Sequence, residues 1–181
     1  MDVQLRPAQE ADLPHFYRWQ EEEPHWEHYT CRPVELVRPY PVFRARFVDV
    51  LRSGRELVFS VLRDGEVVGR MVAQDENPRN RSMEIGYYLA AAARGQGVGR
   101  AALEAFVGIL FTWPDKNLHK LYATTSAENR ASIAILEASG FSLDGRLREH
   151  YLLAGAFSDQ LFFSLLRREW DQSAGTGYGY L

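Results

Sequence analysis

A glycine-rich stretch, RGQGVGR at residues 94–100, has the composition of a turn that binds an anion. It lies between a β-rich run and a helical pattern, and the first backbone N–H groups of a helix have no acceptor within that helix. Glycines let the backbone approach a phosphate closely, and the helix dipole favours negative charge. The stretch therefore predicts a phosphate-binding turn, although a flexible strand-to-helix connection can have the same composition.

Two other phosphate motifs fit this stretch poorly. A P-loop requires Lys-Ser or Lys-Thr after the glycines, and neither is present. Gly97, Gly99 and Ala102 match a dinucleotide fingerprint formally, but that motif needs a parallel βαβ unit and an acid about 20 residues further on. The preceding strands are predicted to form hairpins, and Asp115, the acid at that distance, falls in a loop. A nucleotide-dependent oxidoreductase is therefore only a distant alternative.

His25, His28 and Cys31 are the residues whose types suit a metal, because imidazole and thiolate bind zinc. The spacing is tight, prolines flank the stretch, and no fourth ligand is apparent. We therefore expect no metal site. Cys31 is not the preferred nucleophile either, because the sequence places no histidine beside it as a base.

Alternating and helical patterns predict the elements around the glycine stretch. Residues 57–62 and 67–73 are β-rich, and Asp64-Gly65 between them is a hairpin signal. In residues 83–89, apolar and other side chains alternate as in a third strand of an antiparallel meander. The helix after the glycines should bury one face, which carries Ala102, Leu103, Phe106, Val107 and Leu110.

The remaining patterns complete the order β-α-α-β-β-β-α-β-α-β-β. A strand is predicted at residues 3–6, helices are predicted at 11–20 and 42–51, and a strand and a helix are predicted at 120–125 and 129–139. The second of these helices has an apolar stripe of Val42, Phe43, Phe47, Val48, Val50 and Leu51. Two long strands, 141–152 and 158–166, close the pattern, and Leu161, Phe163 and Leu165 of the second should point inward.

Length and charge narrow the class of protein. The 181 residues suit one domain, predicted at 1–171, with a flexible glycine-rich tail at 172–181. A net charge of −3 argues against a nucleic-acid partner. No apolar run is long enough to span a membrane, and the first residues do not resemble a signal peptide. The single cysteine agrees with a reducing compartment, so we expect a cytoplasmic protein.

The chain resembles the GNAT superfamily of N-acetyltransferases, and within it the Rim-type (RimJ- and RimL-like) branch. Arg94-x-x-Gly97-x-Gly99 matches the signature of its coenzyme loop. The resemblance covers roughly residues 3–171 and includes MEIGY at 83–87, NRAS at 129–132, GF at 140–141, Asp159, SLL at 164–166 and EW at 169–170. It implies an α/β (α+β) fold with a mixed, mostly antiparallel central sheet flanked by helices.

The resemblance also implies acetyl-CoA as cosubstrate, a primary amine as acceptor, and direct attack in a ternary complex without a metal. The backbone of Tyr87, Tyr88 and Leu89 would face the acetyl group and pantetheine arm, and Asn129 and Ser132 would bind the arm and the sulfur region. The loop residues that would hold the pyrophosphate are Arg94, Gly95, Gln96, Gly97, Val98, Gly99 and Arg100.

Roles in catalysis follow from the same resemblance and leave alternatives open. Ser132 would protonate the leaving thiolate, or it is an exposed residue in the first turn of a helix, for which Asn129 is a good N-cap. Glu84 is a candidate base, or it only makes structural hydrogen bonds. Tyr151 stands where some relatives have a catalytic glutamate, so a water chain is a further route for the proton.

The acceptor site is implied to lie beside residues 21–31. Glu22, Glu23, Trp26 and Tyr29 would bind the acceptor, because residues 1–30 carry two basic and seven acidic residues and would attract a cationic amine. Such a charge run is also typical of a solvated helix end, and Trp26 and Tyr29 could equally be residues that pack on the core. We expect the acceptor to be a small molecule or a protein N-terminus. The sequence does not decide whether the protein is a monomer or a homodimer. A non-catalytic acyl-CoA-binding module is the alternative function.

Overall fold

The computed structural model describes residues 2–23 and 39–174. In these residues no helix is both long and apolar enough to cross a membrane. Seven strands form one sheet. They are β1 (Val3–Pro7), β2 (Leu57–Arg63), β3 (Glu66–Asn77), β4 (Ser82–Leu89), β5 (Lys120–Ser126), β6 (Ser142–Leu153) and β7 (Ala156–Leu166). The helices are α1 (Leu13–Glu22), α2 (Tyr40–Ser53), α3 (Val98–Thr112), α4 (Arg130–Ala138) and α5 (Arg167–Ala174).

The strand order in the sheet is β1-β2-β3-β4-β5-β7-β6. All neighbouring pairs are antiparallel except β4 and β5, which run parallel with α3 as the connection between them. The predicted α/β class, the mostly antiparallel sheet and the order of helices and strands as far as β7 are therefore confirmed. The strands before the glycines form antiparallel hairpins, as predicted. They do not exclude a parallel βαβ unit, however, because β4, α3 and β5 form one.

The hairpin between β2 and β3 follows the sequence signal closely. Asp64 and Gly65 have φ angles of 51° and 87°, and Arg63 pairs with Glu66 across the turn. Two consecutive positive φ angles are the geometry of the tight turn that matches strand twist, and Asp-Gly adopts it readily. This hairpin fixes the register between β2 and β3, and β3 pairs in turn with β4.

Helices cover both faces of the sheet. The predicted face of α3 is buried against one face, together with alternate strand residues such as Phe59 and Met71. The opposite face packs Val58 and Tyr88 against Phe16 and Trp19 of α1. The inward positions of β7 are also buried, as predicted. The alternation in β4 breaks at its end, where both Tyr88 and Leu89 are buried, because each side of the strand is covered.

A buried carboxylate fixes the start of α1. Asp12 accepts two hydrogen bonds of 2.7 Å from Arg6 in β1, one of 2.7 Å from Ser60 in β2, and one from the backbone N–H of Gln9. Burial alone would raise the pKa of Asp12, but these hydrogen bonds lower it to about 2. The carboxylate therefore joins β1, α1 and β2 in its charged form.

Two local expectations differ from the structure. The described residues end in the helix α5, which the predicted element order lacks. Trp170 of this helix packs on Phe111 of α3, with ring centroids 5.4 Å apart. Val42 was predicted in the apolar stripe of α2, but it is 44% exposed. The contact between Trp170 and Phe111 joins segments far apart in the chain, which a local pattern does not report.

Candidate active site

A cavity opens where β4 and β5 separate. The two strands pair only over Ser82–Glu84 and Lys120–Tyr122, after which β4 stays with β3 and β5 stays with β7. The cavity has a volume of about 390 Å³. It is lined by Ile85, Gly86, Tyr87, Tyr88, Leu89, Arg94, Gly95, Gly97, Gly99, Arg100, Ala123, Thr124, Thr125, Asn129, Ala131, Ser132 and Ile135.

The N-terminus of α3 forms one wall of this cavity. Gly97 is the N-cap with a φ of 78°, and the first bond of the helix runs from Ala101 N–H to the Gly97 carbonyl at 3.1 Å. The N–H groups of residues 98–100 therefore have no acceptor within the helix. These N–H groups give the wall a positive potential. Arg100 also lines the cavity, and its Nε donates to Glu104 Oε1 at 2.8 Å.

Two residues of the predicted coenzyme loop direct their side chains elsewhere. Gln96 donates from Nε2 to the Ala92 carbonyl at 2.8 Å and accepts from Arg63 at 2.8 Å. Val98 is completely buried in the core. Only their backbone amides are therefore candidates for binding the coenzyme, and the predicted binding roles of both residues stay predictions.

Gly99 is required by packing. A Cβ atom at Gly99 would lie 2.8 Å from Ile135 Cδ1 of α4 and 3.1 Å from Leu89 Cδ1 of β4. The space beside this glycine is therefore filled by two side chains rather than left for a phosphate. Its role is to bring α3 close to β4 and α4, which keeps the cavity walls together.

Arg94 connects the coenzyme loop to the end of α1. Its Nε donates to the Leu89 carbonyl at 3.0 Å, and its Nη2 donates to Glu23 Oε2 at 2.6 Å. The Tyr88 hydroxyl donates to the same Glu23 oxygen at 3.2 Å. The Glu23 side chain is only 7% exposed. Glu23 was expected to be one of the free charges at the acceptor site, whereas here a guanidinium compensates its charge.

Asn129 and Ser132 come together in the first turn of α4. The Asn129 side chain caps the helix by accepting from the Ser132 backbone N–H at 3.1 Å, so the predicted N-cap is confirmed. Both residues also line the cavity, so capping and contact with a ligand are compatible. Ser132 is half-buried at the cavity wall and is not an exposed surface residue.

The Tyr87 side chain crosses from β4 to α4 and meets Ser132. The two hydroxyl oxygens lie 2.8 Å apart, and the Tyr87 hydroxyl is 3.3 Å from the Ser132 carbonyl. Burial raises the pKa of Tyr87 to about 12, with a smaller opposing effect of the Ser132 hydrogen bond. The sequence resemblance implies a role only for the Tyr87 backbone, and no local pattern links two residues 45 positions apart.

The two other predicted catalytic residues lie outside the cavity lining. Glu84 is half-buried and accepts from Gln74 Nε2 at 3.2 Å and from Thr124 Oγ1 at 3.3 Å, and Thr124 itself lines the cavity. Tyr151 is 3% exposed, and its ring lies 6.5 Å from that of His150. Glu84 is thus one hydrogen bond from the cavity wall, and the catalytic role of each residue stays a prediction.

Several sequence-based candidates cannot be placed in the site. Trp26 and Tyr29, and also His25, His28 and Cys31, lie outside the described residues. Glu22 is exposed in the last turn of α1. Among residues 2–23 and 39–174 no group of histidine, cysteine and carboxylate side chains is arranged to hold a metal ion.

The lining also contains residues that the sequence analysis did not consider. Ala123, Thr124 and Thr125 come from β5, and Ala131 and Ile135 come from α4. Their types carry no chemical signal of their own. The position of β5 beside β4 would have been needed to find them.

Comparison with known proteins identifies the class. A sequence profile of the acetyltransferase (GNAT) domain matches residues 2–142. The YdaF protein of Bacillus subtilis, whose name assigns it provisionally as a ribosomal N-acetyltransferase, is 29% identical over 72% of this chain and 68% of its own length. Spermidine N(1)-acetyltransferase of Escherichia coli is 23% identical over 93% of this chain and 88% of its own.

The fold agrees with these sequence matches. The crystal structure of spermidine N-acetyltransferase from Vibrio cholerae, in complex with CoA and spermine, superposes with a TM-score of 0.80 at 21% identity, covering 93% of this chain and 97% of the other. The chain thus shares its fold with an N-acetyltransferase. The chain belongs to the GNAT acetyltransferase family, as the sequence resemblance predicted, and it is an N-acetyltransferase.

Proposed function

We propose that this enzyme binds acetyl-CoA in the cavity between β4 and β5 and transfers the acetyl group to a primary amine. The observation that carries the proposal is the cavity itself, since it combines uncompensated helix N–H groups at one wall with the Ser132 hydroxyl at another. An anion and a reacting thioester could occupy it together.

The residues present fit the parts of acetyl-CoA. The N–H groups of residues 98–100 and the Arg100 side chain would hold the pyrophosphate, since they supply donors and positive charge. The gap beyond Glu84 leaves one edge of β4 facing the cavity, where Tyr87, Tyr88 and Leu89 would offer backbone groups to the pantetheine arm. The CoA and spermine reported for the Vibrio relative support this class of ligands.

Acetyl transfer requires a neutral amine, donors for the developing oxyanion and a proton for the leaving sulfur. In our proposal Ser132 donates that proton, because its hydroxyl lines the cavity. Glu84 accepts the amine proton through the Thr124 hydroxyl, to which it is hydrogen-bonded. Glu84 and Tyr151 both lie outside the cavity lining, but Glu84 is hydrogen-bonded to a lining residue, Thr124. Glu84 is therefore the better supported base.

The acceptor is proposed to be a cationic primary amine, either a polyamine or a protein N-terminus. The names of the relatives include both a ribosomal substrate and spermidine, which share an amine that is protonated in water. Glu21 and Glu22 are exposed at the end of α1 and provide negative potential there. We further propose a cytoplasmic monomer or homodimer with no metal and no nucleic-acid or membrane partner, in line with the single cysteine and the small net charge.

A binding assay and an activity assay test the proposal together. Thermal unfolding is measured with acetyl-CoA, NADH and ATP, and only acetyl-CoA should raise Tm strongly, because a ligand that binds the folded state stabilises it. Thiol release is then followed with spermidine, with peptides that have a free N-terminus, and with the same peptides N-acetylated. Stabilisation without thiol release for any amine would indicate a non-catalytic acyl-CoA-binding module, and no stabilisation would refute the assigned cavity.

A further inference from the structure

The Tyr87 side chain of β4 contacts Ser132, the proposed proton donor. Tyr87 and Ser132 both line the cavity, and their oxygens are 2.8 Å apart. The contact spans the gap where β4 and β5 separate, so it joins the proposed acetyl-binding strand to α4. The phenol thus lies where it would restrict the orientation of the Ser132 hydroxyl.

Either hydroxyl can donate across the 2.8 Å contact, and the neighbouring distance favours Tyr87 as the donor. If Ser132 donated to Tyr87, the phenol proton would be left with the Ser132 carbonyl at 3.3 Å, which is long for an O–H···O bond. If Tyr87 donates to Ser132 Oγ, the 2.8 Å bond has ordinary length. The proton of Ser132 then remains available to the cavity. Because the pKa of Tyr87 is raised to about 12, its phenol keeps its proton at neutral pH and remains a hydrogen-bond donor.

We propose that Tyr87 is a positioning residue for Ser132, whose hydroxyl it holds with the proton directed into the cavity. This inference rests on the proposed function of the cavity. The amine nitrogen bonds to the acetyl carbon, and the carbon–sulfur bond breaks. The electron pair of the broken bond goes to sulfur, which then takes the proton of Ser132. The Tyr87 O–H then donates to a more negative serine oxygen, where a hydrogen bond is stronger. The proton that the amine nitrogen loses passes through the Thr124 hydroxyl to Glu84, and after release of CoA it returns through water to Ser132, so no proton is gained or lost.

The test is a double-mutant cycle on kcat with Tyr87→Phe and Ser132→Ala. We expect Tyr87→Phe to lower kcat roughly tenfold with an unchanged Kd for acetyl-CoA, since one hydrogen bond to a charge-bearing group is lost. In the Ser132→Ala protein, Tyr87→Phe should have no further effect, because the hydroxyl that it positions is absent. In the Ser132→Thr protein, which keeps a hydroxyl, Tyr87→Phe should again lower kcat.

Tyr40→Phe is the matched control. Tyr40 lies at the start of α2 against Tyr17 and Phe43, outside the cavity lining, so loss of its hydroxyl should leave kcat unchanged. Additive effects of Tyr87→Phe and Ser132→Ala, or an effect on Kd and Tm without one on kcat, would show a merely structural tyrosine and overturn the inference. The proposed function fails separately, if the unaltered protein neither binds acetyl-CoA nor releases thiol.

Discussion

The carboxylate of Glu23 and the guanidinium of Arg94 form an ion pair of 2.6 Å that joins the end of α1 to the loop before α3. The two residues lie 71 positions apart. Arg94 also donates to the Leu89 carbonyl, and its guanidinium carbon lies 5.3 Å from the centre of the Tyr88 ring. One side chain therefore connects the strand, the loop and the helix that surround the cavity mouth.

Replacing Glu23 with glutamine should destabilise the protein and weaken acetyl-CoA binding. The change leaves Arg94 without its charge partner, and because Arg94 is 40% exposed we expect a loss of only about 1 kcal/mol. Chemical denaturation and titration with acetyl-CoA measure the two effects. Glu22→Gln removes the same charge from an exposed neighbour, and its unfolding free energy should stay the same. If Glu23→Gln and Glu22→Gln had the same free energy of unfolding, the ion pair would not stabilise the fold.

Asn129 allows the capping role to be separated from contact with a ligand. Asn129→Ala removes the acceptor for the Ser132 N–H and should cost about 1 kcal/mol of unfolding free energy. Asn129→Asp keeps an acceptor and should retain most of the stability, but it places a negative charge in the cavity wall and should raise the Kd for acetyl-CoA. If the aspartate variant bound acetyl-CoA normally, Asn129 would be a helix cap alone.

Gly99→Ala should be destabilising even though alanine favours helices. Its Cβ would approach Ile135 Cδ1 to 2.8 Å, and overpacking of this kind costs roughly 1–3 kcal/mol. Because Ile135 lines the cavity, affinity for acetyl-CoA should fall as well. Gly145→Ala is the control, since a Cβ there has no atom within 4 Å, and its Tm should not fall. A Gly99→Ala protein of unchanged Tm would show that α4 shifts freely.

Asp12 should make the free energy of unfolding fall as the pH becomes acidic. Its pKa is about 2 in the folded protein and near 3.9 in an unfolded chain, so its charged form stabilises the fold above the unfolded value. That contribution, roughly 2 kcal/mol, should disappear as the pH falls from about 5 towards 2. The difference in unfolding free energy between the parent and Asp12→Asn should shrink over this range. For Asp49→Asn, at an exposed ion pair, the difference should be small at every pH.

The exposed acids of α1 should assist capture of a cationic acceptor. Glu21→Gln combined with Glu22→Gln should raise the acceptor KM, most strongly at low ionic strength, and leave acetyl-CoA affinity unchanged. Glu23 is kept because Arg94 already compensates its charge. Asp115→Asn with Glu137→Gln removes two exposed charges elsewhere and is the control. A KM insensitive to both the α1 changes and added salt would leave acceptor choice to apolar contacts.

Short-range patterns were sufficient for the elements that frame the site. The Asp64-Gly65 turn, the buried face of α3 and the cap at Asn129 each depend on residues within a few positions of one another, and all three are confirmed. The family signature likewise pointed to the loop before α3, because helix ends and glycines act locally. By itself the sequence thus determined the class of protein and most of the chain segments that form the cavity.

The tertiary structure alone decided how those segments combine. The sequence predicted a meander up to β4, but the parallel position of β5 and the gap that follows it depend on the completed sheet. Glu23 could not be recognised as compensated, nor Tyr87 as a partner of Ser132, because neither contact follows from a periodic pattern. Hydrophobic periodicity indicates which face of a helix or strand is buried. The partner of a polar side chain depends instead on which distant groups the folded chain brings within about 3 Å of it.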